Sequence, residues 1–242
     1  RALNFCMLLP GPEALQLAIY LGWKLHGLRG GRVAGLGFIG PAIVLLLGLS
    51  WLYARFGSQP IATGVLLGLK AAVLALVLQA LLRIGRRALE RPLHVAVAIT
   101  AFAALEFLGV PFPWIVLSAG LAGLAASWRA PRPEPVAVPP GRQGAPLRVA
   151  AAGLVLWLVP LLVVAVALGP DSLWSRLYLF FTQAALVTFG GAYAVLGYVT
   201  QHLVQELGWL TAEQSVAGLA LAETTPGPLV IVLQFMGFMA GW

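Results

Sequence analysis

Apolar residues fall along this chain in long blocks rather than in the stripes or alternations of a soluble domain. A hydrocarbon core about 30 Å thick takes about 20 helical residues, and only internally hydrogen-bonded backbone is tolerated against lipid. Eight blocks reach or approach that length: Leu3 to Trp23, Val33 to Ala54, Ile61 to Leu82, Leu93 to Phe107, Trp114 to Ala126, Val149 to Leu168, Leu177 to Thr200 and Val216 to Trp242. They predict an all-α polytopic membrane protein. The fourth and fifth are short and joined by Leu108-Gly-Val-Pro-Phe-Pro113, which predicts a tight helical hairpin or a re-entrant pair.

The polar positions between the blocks are sorted by charge. Lys24, Arg29 and Arg32 follow the first block, Arg83, Arg86, Arg87 and Arg91 the third, and Arg129, Arg132, Arg142 and Arg148 the fifth. The intervening connections hold Arg55, no basic residue, and Arg176. Loop bias of this kind puts the basic side in the cytoplasm. Between Ser127 and Leu147 the sequence turns to Pro, Arg, Gly and Gln, and its six prolines forbid continuous helix. This cytoplasmic linker, residues 129–147, divides the chain into a first membrane unit, 1–128, and a second, 148–242.

The two units share a motif. Leu8-Leu-Pro-Gly-Pro-Glu13 lies in the first block and Thr224-Thr-Pro-Gly-Pro-Leu229 in the last. If both blocks cross fully, loop charge runs the first helix inward and the second outward, which predicts two homologous units in inverted topology.

Composition narrows the class. With 60% of the 242 residues hydrophobic and 10% charged, too little remains to build a water-exposed surface. The net charge of +7 sits between apolar blocks and not on one basic face, so nucleic acid is excluded as a partner. Cys6 is the single cysteine, which rules out an internal disulfide and a Cys-rich metal site. The chain opens at Arg1 and stops at Trp242 within apolar sequence, so it reads as truncated at both ends, with no recognisable signal peptide.

Candidate chemistry gathers where helix regularity fails. Proline removes an amide donor and clashes with the preceding turn, so Pro10-Gly11-Pro12 and Pro226-Gly227-Pro228 predict helix breaks. In transporters such breaks meet at a mid-membrane site, whereas a kink that only helps packing is the alternative. Glu13, Gln16, Thr224, Thr225 and Gln234 lie beside them, as does Glu223, a second carboxylate with proton-carrying chemistry. Thr188-Phe189-Gly190-Gly191 and Tyr193 offer hydroxyls and exposed amides of the kind that hold anions, although paired small residues also serve close packing. Lys70 stands near the middle of the third block, where a charge is expensive unless it faces water, an anion or a carboxylate such as Glu106 or Glu13. Enzyme readings are weak. His26, His94 and His202 all lie near block ends, and Gly48-Leu-Ser-Trp51 has no histidine at its depth to activate Ser50.

Taken in order, Leu9-Pro-Gly-Pro-Glu13 through Gln16, Leu21-Gly22-Trp23, Gly37-Phe-Ile-Gly-Pro41, Phe189-Gly-Gly-Ala-Tyr193, Gly208-Trp-Leu-Thr-Ala-Glu213, Gly218-Leu-Ala-Leu-Ala222 and Thr225-Pro-Gly-Pro228 resemble the chromate ion transporter family. The resemblance covers essentially the whole chain. It implies two homologous membrane units of opposite orientation and export of chromate from the cytoplasm, giving chromate resistance. Against the family's plan, the opening of the first half and the helices beyond Trp242 are missing, Gly40 replaces a bulkier residue, and Ala192 replaces a third glycine.

The implied cargo is chromate or a sulfate-like tetrahedral oxyanion, met by amides, hydroxyls and Lys70. The implied setting is the lipid bilayer of the cell (inner) membrane, as a secondary transporter open to proton coupling and to a homodimer, with no cofactor and no metal. A membrane-embedded enzyme or a non-transporting scaffold is the reading from another class.

Overall fold

A computed structural model of the chain describes residues 6, 11–90, 92–127, 145–187 and 192–242. All regular structure among the described residues is helical. Helix α1 spans Glu13–Phe56, α2 Pro60–Ala88, α3 Pro92–Glu106, α4 Phe112–Ser127, α5 Ala145–Leu168, α6 Leu173–Val187, α7 Ala192–Gln201, α8 Ala212–Thr224 and α9 Val232–Gly241. A π-helical turn, His202–Glu206, follows α7, and a 3-10 turn, Leu229–Ile231, precedes α9.

Among the described residues three helices are long and apolar enough to cross a membrane: α1, α2 over Pro60–Arg86, and α5 over Leu147–Leu168. The most apolar stretch of α5 buries none of its residues against protein. An apolar helix left so bare has lipid as its solvent.

Residues up to 92 pack with residues 181–242 as one compact unit, and residues 93–180 form another. In the first unit the core holds Leu46, Val195, Val199, Leu203, Val232, Phe235 and Met236, all nearly inaccessible. Helix α1 is folded in two there. His26 and Gly27 leave helical space, and the positive φ of 62° at Gly27 is one that glycine adopts without strain. The arms 13–25 and 28–56 then run back along each other. A Cβ placed on Gly22 would sit 2.5 Å from the Gly30 carbonyl oxygen and 2.7 Å from Ala34 Cβ, so the small residues are what lets the arms touch.

In the second unit, α6 is started by Ser172, whose Oγ accepts from the Ser175 amide at 3.3 Å. The Ser175 hydroxyl donates to the Gly169 carbonyl at 2.7 Å, and the Tyr178 hydroxyl ties α6 to α5 through the Trp157 carbonyl at 2.8 Å. Helices α3 and α4 are joined by a turn at Gly109, where φ is 61° and the Val110 amide donates to the Ala104 carbonyl at 3.0 Å.

Two of the expected spans are corrected. The basic connection after the first block is not a loop. Lys24, Arg29 and Arg32 lie on the two arms of α1, and only His26 and Gly27 turn the chain. The eighth block is not one crossing helix either. Its halves α8 and α9 have 13 and 10 residues, each short of a span. Gly218 of α8 lies so close to the ring of Phe235 of α9 that any Cβ there would run into it. In a straight helix those residues would be roughly 25 Å apart. The chain therefore doubles back at Thr225–Pro228, and one of the two full crossings on which the inverted arrangement was argued is absent. Residues 129–144 of the linker lie outside the described residues.

Candidate functional site

The helix break in the last block is built from residues that close α8 and cannot continue it. Thr225 adopts an extended conformation (φ −90°, ψ 127°), and Pro228 does the same ahead of the 3-10 turn. The end of a helix leaves carbonyls without partners. Here the Thr224 and Thr225 hydroxyls both donate to the Leu221 carbonyl, at 2.9 and 2.8 Å, and the Thr225 amide donates to Ala222. These hydroxyl protons are thus committed to the helix end, leaving only their acceptor sides for any ligand.

The break is pressed against the second arm of α1. A Cβ on Gly227 would meet Ala42 Cβ at 2.5 Å, so glycine is required for this approach. Just beyond the turn, Gln234 Nε2 donates to the Ile43 carbonyl at 3.0 Å, and Phe235 meets Tyr53 edge-on with ring centroids 5.3 Å apart. Three contacts from one short hairpin thereby fix its position on α1.

The first break has the same character. Gly11 takes φ 119°, Pro12 is extended (φ −75°, ψ 109°), and α1 begins only at Glu13. Glu13 occupies the first turn, where a carboxylate is favoured by the helix dipole. The Gln16 side chain packs under Gly11.

Helix α8 brings in the charge. Its start is a capping box: Thr211 Oγ1 accepts from the Gln214 amide at 3.1 Å, while Gln214 Oε1 accepts from the Thr211 amide at 2.8 Å. Glu213, held in this first turn, accepts a hydrogen bond from Lys70 Nζ at 2.8 Å. Lys70 lies 10 residues beyond Pro60 on α2, about 15 Å along the helix and so about halfway through a hydrocarbon core. Its side chain is 22% exposed and that of Glu213 is 74% exposed. From this contact α8 runs along α2, and its last turn shares a cavity of about 330 Å³ with both long helices, lined by Tyr53, Val65, Leu69, Leu221 and Thr224 among others.

The partner expected for Lys70 is therefore corrected, because the carboxylate is Glu213 rather than Glu13 or Glu106. Thr224, Thr225, Pro226, Gly227, Pro228 and Gln234 come together around the second break, and Lys70 meets the start of the same hairpin. Gly11, Pro12, Glu13 and Gln16 gather at the start of α1. Pro10, Thr188, Phe189, Gly190 and Gly191, together with the side chain of Tyr193, lie outside the described residues. Ser50, the serine of Gly48-Leu-Ser-Trp51, is buried and donates to the Leu46 carbonyl at 2.6 Å.

Sequence reasoning quoted Glu213 and Gly218 only as members of family motifs, without a role, and missed Ser215. The signal for the first was present, since Thr-x-x-Gln ahead of an apolar run marks a helix start and Glu213 falls within it. Ser215 is 3% exposed, and its hydroxyl has no partner among the described residues. A buried polar group without a partner costs about 1–3 kcal/mol.

Comparison with known proteins places these features in a family. The family model described as chromate transporter matches residues 1–124 and 175–242. A chromate transport protein of Pseudomonas aeruginosa is 38% identical over all of this chain, and one of Cupriavidus metallidurans is 31% identical over 99% of it. A probable chromate transport protein of Synechococcus elongatus is 29% identical, also over 99% of the chain. The chain spans 56%, 57% and 58% of the length of these three relatives. No solved structure matches it.

Proposed function

The chain belongs to the chromate transporter family, and on that premise we propose that it carries chromate across a membrane. The substrate is taken as a tetrahedral divalent oxyanion exported from the cytoplasm. The transporter is secondary and multi-pass in the cell (inner) membrane, built from two related units on either side of the Pro/Arg-rich linker. Support for two units comes from the two stretches, 1–124 and 175–242, that the family model matches.

The observation that carries the proposal is the contact between Lys70 and Glu213. A lysine halfway along a membrane helix is costly in hydrocarbon, and a carboxylate three-quarters exposed at the same depth is costlier still. Both are accommodated if the open side of the pair is a water-filled vestibule. Two short helices turned back at a Pro-Gly-Pro break form one wall of it, as irregular backbone at membrane depth does where it lines a cavity.

The test is accumulation of labelled chromate in inverted vesicles carrying the protein, with unlabelled sulfate as competitor and with the proton gradient collapsed. Chromate uptake that sulfate leaves intact assigns chromate, uptake that sulfate abolishes assigns a general oxyanion carrier, and loss on collapsing the gradient assigns proton coupling. No uptake above protein-free vesicles rejects the proposal.

A further inference from the structure

Lys70 has one partner among the described residues, the Glu213 carboxylate, and that bond uses one of the three N–H donors of its ammonium. The two side chains are unequally placed. Lys70 is mostly covered, and Glu213 stands on its open side. Whatever approaches the ammonium from the open side meets the carboxylate first.

We propose that Glu213 is the resident counter-anion of Lys70 and that an incoming divalent oxyanion takes its place. The inference rests on the reading of the chain as an oxyanion carrier and deepens it, because it names the group that sets affinity at the site. An ion pair this exposed is weak, so its carboxylate is displaced at little cost. Once displaced, Glu213 leaves behind a cation with all three donors free, next to the first turn of a 13-residue helix whose amide end favours negative charge. Ser215, two positions on, is buried on the opposite side of α8 from the exposed Glu213 and does not serve as a further donor here. The Thr224 and Thr225 hydroxyls cannot serve this way, because their protons are held by Leu221. A carboxylate poised over the cation also explains how the anion gets off again, since the returning Glu213 competes for the same donors.

The experiment measures chromate binding to the purified protein by equilibrium dialysis, with thermal unfolding recorded on the same samples. Glu213→Gln removes the competing charge and keeps the shape. It is expected to bind chromate about two- to fivefold tighter than the unaltered protein, the scale of an exposed ion pair. The charge exchange Lys70→Glu with Glu213→Lys is expected to keep the pair and unfold much as the unaltered protein does, yet to lose chromate binding, because the cation is moved to the exposed position.

Binding by Glu213→Gln equal to or weaker than that of the unaltered protein overturns the proposal, as does undiminished binding in the charge-exchanged protein. So does a Glu213→Gln protein that fails to fold, since a group that must be displaced cannot be indispensable to the structure. An unaltered protein that neither binds nor moves chromate rejects the carrier reading itself, which separates the two failures.

Discussion

Lys70 shows how far a single residue can be read from sequence. Its position in the third apolar block identified it as a charge with a task, because an uncompensated charge near the middle of a bilayer costs about 3 kcal/mol. Its partner could not be read. Glu213 is 143 positions away, and only folding back of the last block brings it into reach. Replacing Lys70 with Met removes the charge while keeping most of the apolar stem. The variant should insert and unfold much as the parent does, because the Glu213 it strands is largely exposed and needs no protein partner. Chromate flux should fall at least tenfold, with weaker apparent affinity. Poor expression together with a lowered unfolding temperature would instead make the pair a structural one.

At the scale of elements, proline and glycine spacing was the most legible signal and also the most incomplete. The second Pro-Gly-Pro segment does interrupt helix, with the chain extended at Thr225 and at Pro228, and after the first, α1 begins only beyond an extended Pro12. What the break does to the path of the chain depends on side chains elsewhere, and the hydropathy of Val216 to Trp242 is the same for a straight span and a hairpin. Gly218 decides it by letting Phe235 come down onto α8. Gly218→Ala should therefore destabilise the protein by about 1–3 kcal/mol, as overpacking of a filled core does. Unfolding temperature in detergent measures this, and Phe235→Ala should lower it less in the Gly218→Ala protein than in the parent, because the two substitutions act on one contact. Additive losses would mean that Gly218 and Phe235 do not meet. The turn at His26 and Gly27 was similarly hidden. The basic residues around it suggested a loop, whereas Gly22 and Gly30 let helix continue almost to the turn itself.

For the whole molecule, the class was plain from composition, since 60% apolar residues in long blocks admit only lipid as solvent. Orientation follows from charge: the Arg83 to Arg91 connection and the Ser127 to Leu147 linker are expected on the cytoplasmic side. With Cys6 replaced by Ala to clear the background, single cysteines in both segments should stay unlabelled by an impermeant reagent outside intact cells and react after permeabilisation. Labelling of both from outside would reverse the topology. Packing was not legible in the same way. Residues up to 92 gather with 181–242 as one compact unit, a grouping that depends on long-range contacts such as Gln234 to Ile43 and that no local pattern announces. The central claim is passage of an oxyanion through this assembly, and the initial rate of chromate accumulation in inverted vesicles tests it most directly. A saturable rate well above that of vesicles lacking the protein is expected, with a collapse of that rate in Lys70→Met. A rate indistinguishable from protein-free vesicles, with the protein folded and inserted, would contradict it.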